Sequence, residues 1–148
     1  MIQKKSDEYF MQEAIKEANK AMELNEVPVG AIIVSSGQII ARAHNLCEQL
    51  NDVTAHAEMQ AITAAASFIG GKYLHKCVLY VTIEPCVMCS GAAYWSQIDR
   101  IVYGAKDEKR GPSKLNVILT HPKTKIKGGV MEENCKELMR TFFKQNRK

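Results

Sequence analysis

The β-branched and aromatic run Val78-Leu79-Tyr80-Val81-Thr82 passes within three residues into Pro85-Cys86-Val87-Met88-Cys89, and this junction constrains the chain more than any other feature. The run has the composition of a strand, and proline suits the first position of a helix, so the pattern predicts a strand feeding a helix that opens at Pro85 and runs to about Ser96. Cysteines at i and i+3 then share one face of the first turn, where both sulfurs can reach one ion and the positive helix end favours thiolate. By itself a CxxC pair is equally a redox dithiol, half of a structural zinc site or part of a catalytic one. The sequence holds no second CxxC, which excludes a four-cysteine knuckle.

A third ligand is available in Thr54-Ala55-His56-Ala57-Glu58. Thr54 is placed to cap a helix from about Ala55 to Phe68, ending near Gly70-Gly71, so His56 starts a helix as the cysteines do. One imidazole and two thiolates leave the fourth tetrahedral position for water, the arrangement of a catalytic zinc. Glu58 lies about 200° round a regular helix from His56, so both serve one site only where the helix meets the ion end-on. There it is the base that a zinc-activated water needs. His44, His75 and His121 read as structural or surface residues, and Cys47, Cys77 and Cys135 as core or surface thiols without ligand spacing.

Around these motifs, Ser6 caps a helix in which Phe10, Met11, Ala14, Ile15, Ala18, Ala21 and Met22 recur at helical spacing. Ala31 to Val34 and the run from Ile39, joined by Ser35-Ser36-Gly37-Gln38, read as a hairpin. Ile101-Val102-Tyr103 is a further strand, followed by a loop with Gly111-Pro112, a short helix near Leu115 to Leu119, a strand near Lys125 to Val130 and an amphipathic helix from about Glu132. Such alternation predicts an α/β fold, a central sheet with helices on both faces, and no linker divides residues 1–148 into more than one domain. The 148 residues are 46% apolar, enough for a core without disulfides, and five cysteines, an odd number, fit the reducing cytoplasm. No apolar run approaches the roughly 18 residues that span a bilayer, so no membrane attachment is expected. Charge is uneven: residues 1–105 carry 8 basic and 11 acidic side chains, a net of −3, and residues 106–148 carry 12 and 5, a net of +7. A basic end of this kind is either a solvated surface or a face for a polyanion.

The His-x-Glu and Pro-Cys-x-x-Cys stretches resemble the signature of the cytidine deaminase superfamily. Within it the chain is most similar to the tRNA-specific adenosine deaminases, through Val27-Pro28-Val29-Gly30-Ala31, Thr54-Ala55-His56-Ala57-Glu58, Val81-Thr82-Ile83-Glu84-Pro85-Cys86-Val87-Met88-Cys89, Gly104-Ala105-Lys106-Asp107 and Phe142-Phe143-Lys144. The resemblance implies a three-layer α/β/α sandwich around a five-stranded mixed sheet, one zinc per subunit on His56, Cys86 and Cys89, and Glu58 as proton shuttle. It implies a homodimer acting on the wobble adenosine of a tRNA anticodon stem-loop, with Asn45, Ala57 and Asp107 at the substrate and Lys106, Arg110, Phe143, Lys144 and Arg147 as RNA contacts. Two departures keep another substrate in view. Tyr94-Trp95 looks like a pair found in bacterial guanine deaminases, and Val53 stands where a proline is common. Free guanine, or less readily cytosine or cytidine, is therefore the alternative substrate, while Trp95 also reads as a packed core or dimer-interface aromatic. A noncatalytic zinc-holding RNA-binding subunit would be expected to lack Glu58.

Overall fold

The computed structural model describes residues 5–146. Five strands, β1 (Gly30–Ser35), β2 (Gln38–His44), β3 (Cys77–Ile83), β4 (Arg100–Ala105) and β5 (Lys125–Lys127), form one sheet in the order β2-β1-β3-β4-β5. It is mixed: β1 pairs antiparallel with β2 and β3, and β3–β4 and β4–β5 pair parallel. Among the described residues six helices, α1 (Asp7–Glu23), α2 (Cys47–Leu50), α3 (Ala57–Ile69), α4 (Val87–Ser96), α5 (Pro112–Leu115) and α6 (Glu132–Gln145), precede, connect or follow the strands.

Strand side chains alternate between two faces, and here both faces are buried. Ile32, Val34, Tyr80 and Val102 pack with Phe10, Met11 and Ala14 of α1 and Cys135 of α6. Their neighbours Ala31, Ile33, Leu79, Val81 and Ile101 pack with Ala57, Ala61 and Ala65 of α3 and Ala93 of α4. The three-layer sandwich expected from the family resemblance is the observed fold. α1 lies so close to the start of β1 that a Cβ on Gly30 would sit 2.0 Å from the Ala14 carbonyl oxygen, so only glycine allows this approach. Asp7 ties α1 to the far part of the sheet, accepting from Tyr80 Oη (2.8 Å), both Arg100 guanidinium nitrogens (2.9 and 2.7 Å) and Lys127 Nζ (3.0 Å).

Several boundaries differ from the expected ones. Thr54 does not cap α3: its hydroxyl and N–H both donate to Asp52 Oδ1, at 2.6 and 2.8 Å, and His56 takes the N-cap place. Pro85 likewise does not open α4 but stands two residues before its first residue, Val87, with Cys86 between them as the N-cap. The short helix starts at Pro112 and stops where Asn116 turns left-handed, so residues 116–119 are not helical. β5 is three residues long because the chain leaves it through Gly128 and Gly129, the latter at φ +86°. The single-turn α2 was not foreseen; the buried Glu26 carboxylate supports it by accepting the N–H groups of Glu48 (3.0 Å) and Gln49 (2.7 Å).

Candidate metal centre

The sheet register brings the sequence motifs to one edge. Gly30 pairs with His44, Ala31 with Val81, and Ile83 with Ala105, so Val27–Gly30, His44–Asn45, Ile83–Cys86 and Ala105–Asp107 all emerge together. Cross-links fix them there. Gly30 N–H donates to Thr82 Oγ1 (3.2 Å), Asn45 N–H to the Val29 carbonyl (3.1 Å), and the Gln60 amide to the His44 and Ala55 carbonyls (2.8 and 3.1 Å).

Two helices start at this edge, each with a ligand at its N-cap. His56 caps α3 and Cys86 caps α4, with Cys89 one turn on. The Cys86 sulfur accepts the N–H of Cys89 (3.5 Å), a use of the cap position that also stabilises thiolate. His56 Nδ1 lies 3.6 Å from Cys86 Sγ and 3.4 Å from Cys89 Sγ, and the three ligand atoms all fall within 4.8 Å of one another. In a tetrahedral zinc site with ordinary Zn–N and Zn–S bonds the N···S edge is about 3.6 Å, so the residues fit the ion without rearrangement. Among the described residues this is the one cluster of three or more such side chains close enough to share a metal.

The electrostatics fit a cation as well. Hydrogen bonding from Cys89, then from His56 and the Cys89 N–H, lowers the Cys86 thiol to about 4. The Cys89 thiol is pushed up, first by its bond to Cys86 and then by burial, while the bond to Cys86 raises His56. Two adjacent thiols resist ionising together, and a divalent ion removes that resistance. Glu58 sits on the first turn of α3, 3% exposed, its carboxyl raised to about 7 chiefly by burial. α3 thus meets the centre with its N-terminus, as the His-x-Glu spacing requires.

The remaining sequence candidates fall in different settings. Asn45 and Ala57 are buried at the same edge, and Asn45 Oδ1 has no hydrogen-bond partner. Asp107 is half-buried, and its Oδ1 closes its own loop by accepting the N–H groups of Lys109 (3.2 Å) and Arg110 (3.1 Å). Lys106, Arg110, Phe143 and Lys144 are exposed, and Arg147 lies outside the described residues. Trp95 is 77% exposed on α4, edge-on to Tyr94, so it is not a core aromatic: it points away from the layer that Ala93 enters. A cavity of about 430 Å³ lies between β4 and the 112–120 segment, lined by Pro85, Ser90, Ile101, Tyr103, Ile118 and Thr120 among others, but by none of the three ligands. Sequence reasoning gave no role to Gln60, Thr82 and Glu84, although Thr82 and Glu84 lie within a stretch that carries the family resemblance; their bonds to His44, Gly30, Asp107 and Ser113 reach across distant segments.

Residues 4–105 match the family described as the cytidine and deoxycytidylate deaminase zinc-binding region. A tRNA-specific adenosine deaminase of Aquifex aeolicus is 47% identical over 146 residues, 95% of each chain. A solved structure from work on A-to-I editing by tRNA:A34 deaminases superposes with a TM-score of 0.82 at 39% identity, covering 88% of this chain and 98% of that one. A guanine deaminase of Bacillus subtilis superposes with a TM-score of 0.68 at 34% identity, covering 76% and 75%.

Proposed function

We infer what this chain does from the family to which it belongs, the zinc-binding cytidine and deoxycytidylate deaminases. It is a zinc-dependent hydrolase that exchanges an exocyclic amine of a nucleobase for oxygen. Its substrate is the wobble adenosine of a tRNA anticodon, converted with one water to inosine and ammonia, as the names of its near-full-length relatives indicate for them. The observation that carries the chemistry is the tetrahedral spacing of His56, Cys86 and Cys89 beside the buried Glu58.

Zinc on these ligands supplies a Lewis acid that makes water nucleophilic near neutral pH. Glu58 does the proton work. Its carboxylate takes the proton that water gives up and passes it to the ring nitrogen as C6 becomes tetrahedral. It then takes the remaining proton from the C6 hydroxyl and delivers it to the departing amine as the C6–N bond breaks and the carbonyl forms. Burial suits it to this because a carboxyl raised towards neutrality both accepts and releases protons at working pH. Asn45 is assigned to the base, since its orphaned Oδ1 is a buried acceptor awaiting a donor. Ala57, which carries no bulk at the helix start, leaves room for the flipped base, and Asp107 shapes the loop beside it. Lys106, Arg110, Phe143, Lys144 and Arg147 are assigned to the RNA, the cations to phosphates and the phenyl ring to a base.

The assembly is a homodimer of single-domain subunits in the cytoplasm. The exposed apolar residues Val87, Tyr94, Trp95, Leu115, Val117 and Ile118 supply a face for a second copy. No helix among the described residues is long and apolar enough to cross a membrane. The test is to incubate zinc-loaded protein separately with anticodon stem-loop RNA and with free guanine. Inosine in the RNA is expected; xanthine without inosine would move the substrate to the free base that Tyr94-Trp95 and the guanine deaminase neighbour bring into view.

A further inference from the structure

Glu84 lies two residues before the ligand Cys86, is buried, and makes no ion pair among the described residues. Its two oxygens are instead occupied by one loop. Oε1 accepts the N–H of Asp107 (3.2 Å) and the hydroxyl of Ser113 (2.9 Å), and Oε2 accepts the N–H of Ser113 (2.8 Å). Between those residues the loop passes so close that a Cβ on Gly111 would sit 2.3 Å from Glu84 Oε1, so the carboxylate is wrapped rather than merely touched. Its own N–H donates to the Ala105 carbonyl (2.8 Å), which fixes the same loop at its root.

The loop held in this way carries Lys106, Lys109, Arg110 and Lys114, all exposed, against Asp107 and Glu108. None of the four cations makes an ion pair among the described residues. Burying a carboxylate is costly unless hydrogen bonds replace its water, and every replacement here comes from this one segment. An apolar residue could fill the same space without imposing a shape on the loop. A glutamate imposes one, because two backbone N–H groups and a hydroxyl must converge on it.

We propose that Glu84 is a positioning residue that presets the Lys106–Lys114 loop as a rigid cationic grip for the phosphates of the substrate RNA and couples that grip to the short segment leading from β3 to Cys86. The proposal rests on the RNA reading given above. Glutamine is the discriminating replacement, being of nearly the same size. With its oxygen at either position, its NH2 group confronts a backbone N–H, of Asp107 in one case and of Ser113 in the other, so one loop bond is lost whichever way it turns. The loop then samples open forms, and affinity falls with the fraction still in the binding form.

Zinc-loaded wild type, Glu84→Gln and Ser113→Ala would be compared on anticodon stem-loop RNA by equilibrium binding across a salt series, by turnover at saturating RNA, and by amide exchange at Asp107 and Ser113. For Glu84→Gln the expected result is Kd and KM raised about tenfold, faster exchange at one or both amides, and a log Kd against log salt slope shallower by about 1 to 2. Zinc content and kcat stay within about threefold of wild type, the split expected when preorganisation for binding is lost. Ser113→Ala, which removes only the hydroxyl donor, should shift Kd in the same direction by about two- to threefold. The inference is overturned if Kd and salt slope match wild type although the amides exchange faster. It is equally overturned if zinc content and kcat fall while Kd is unchanged, which would make Glu84 a prop for the metal strand. Failure of the substrate reading shows in the wild type alone, as xanthine from guanine with RNA neither bound nor edited, and takes this inference with it. Inosine formation by wild type, with Glu84→Gln equal to it in Kd, refutes this inference and leaves the substrate reading standing.

Discussion

Up to Ala105 the chain supplies nearly all of the core, and beyond it only Val130, Cys135 and Phe142 are buried apolar residues among those described. In the first region both faces of β1 and β3 are covered, and the three ligands are carried by two helix starts packed into the same layer. In the second, β5 has all three residues exposed, and Leu115, Val117, Ile118 and Phe143 face outward among an excess of lysine and arginine. The family match also ends at residue 105. The proposed chemistry and base pocket thus fall in a region whose geometry leaves little freedom, and the proposed RNA grip in one that a few polar bonds, such as those of Glu84, hold in shape.

The sharpest way to break this division is to attack the first region and look for effects that ignore the substrate. Cys89→Ala removes a ligand and leaves two, so zinc should be lost from the purified protein by metal analysis, and deamination of any substrate should disappear. Next in size, Glu58→Gln keeps the three ligands and removes the proton carrier; kcat should fall by about 10²- to 10⁴-fold with zinc content unchanged. Full turnover in that variant would sink the assignment of Glu58.

These residues are also where the sequence was most readable. The i, i+3 cysteines and the His-x-Glu pair are local patterns, and local geometry carries them to the right place once two helices begin there. The continuous apolar runs of β1 and β3 and the helical stripe of α1 were legible for the same reason. The helix starts were misplaced by two residues at Thr54 and by two at Pro85 because capping preference competes with other bonds. Asp52 takes up the Thr54 hydroxyl, and the Cys86 sulfur itself serves as the cap. Glu84 and Gln60 stayed hidden because their partners lie 16 to 29 residues away in the chain for the bonds to His44 and Ser113, and no spacing rule encodes a tertiary hydrogen bond. For Trp95 the sequence left a core and a dimer-interface place open, and its outward-facing helix position removes only the first.

A smaller effect tests the second region. Reversing two charges, with Lys109→Glu and Arg110→Glu together, should raise KM for stem-loop RNA about tenfold and flatten the salt slope by about 1 to 2. At saturating RNA kcat should hold within about twofold. A fall in kcat with unchanged KM would mean that the cationic loop belongs to the chemistry and that the boundary at Ala105 has no functional meaning.

The smallest expected effect concerns a bond set that crosses the boundary. Asp7, on α1, accepts from Tyr80 and Arg100 in the first region and from Lys127 in the second. Chiefly the Arg100 guanidinium, then Lys127 and Tyr80, hold its carboxyl well below the usual carboxylate range despite partial burial. A carboxyl lowered on folding binds its proton more readily in the unfolded chain, so its contribution is complete above the unfolded value of about 3.9 and is lost progressively as pH falls below it. Asp7→Asn should therefore cost about 1 kcal/mol in urea unfolding near pH 7, and the difference from wild type should shrink below about pH 4. Because the ligands and Glu58 lie on the opposite face of the sheet from α1, kcat should not change. If the cost at pH 7 were absent, α6 and its Cys135–Gly104 contact would be enough to hold the second region on the sheet, with Asp7 serving only α1.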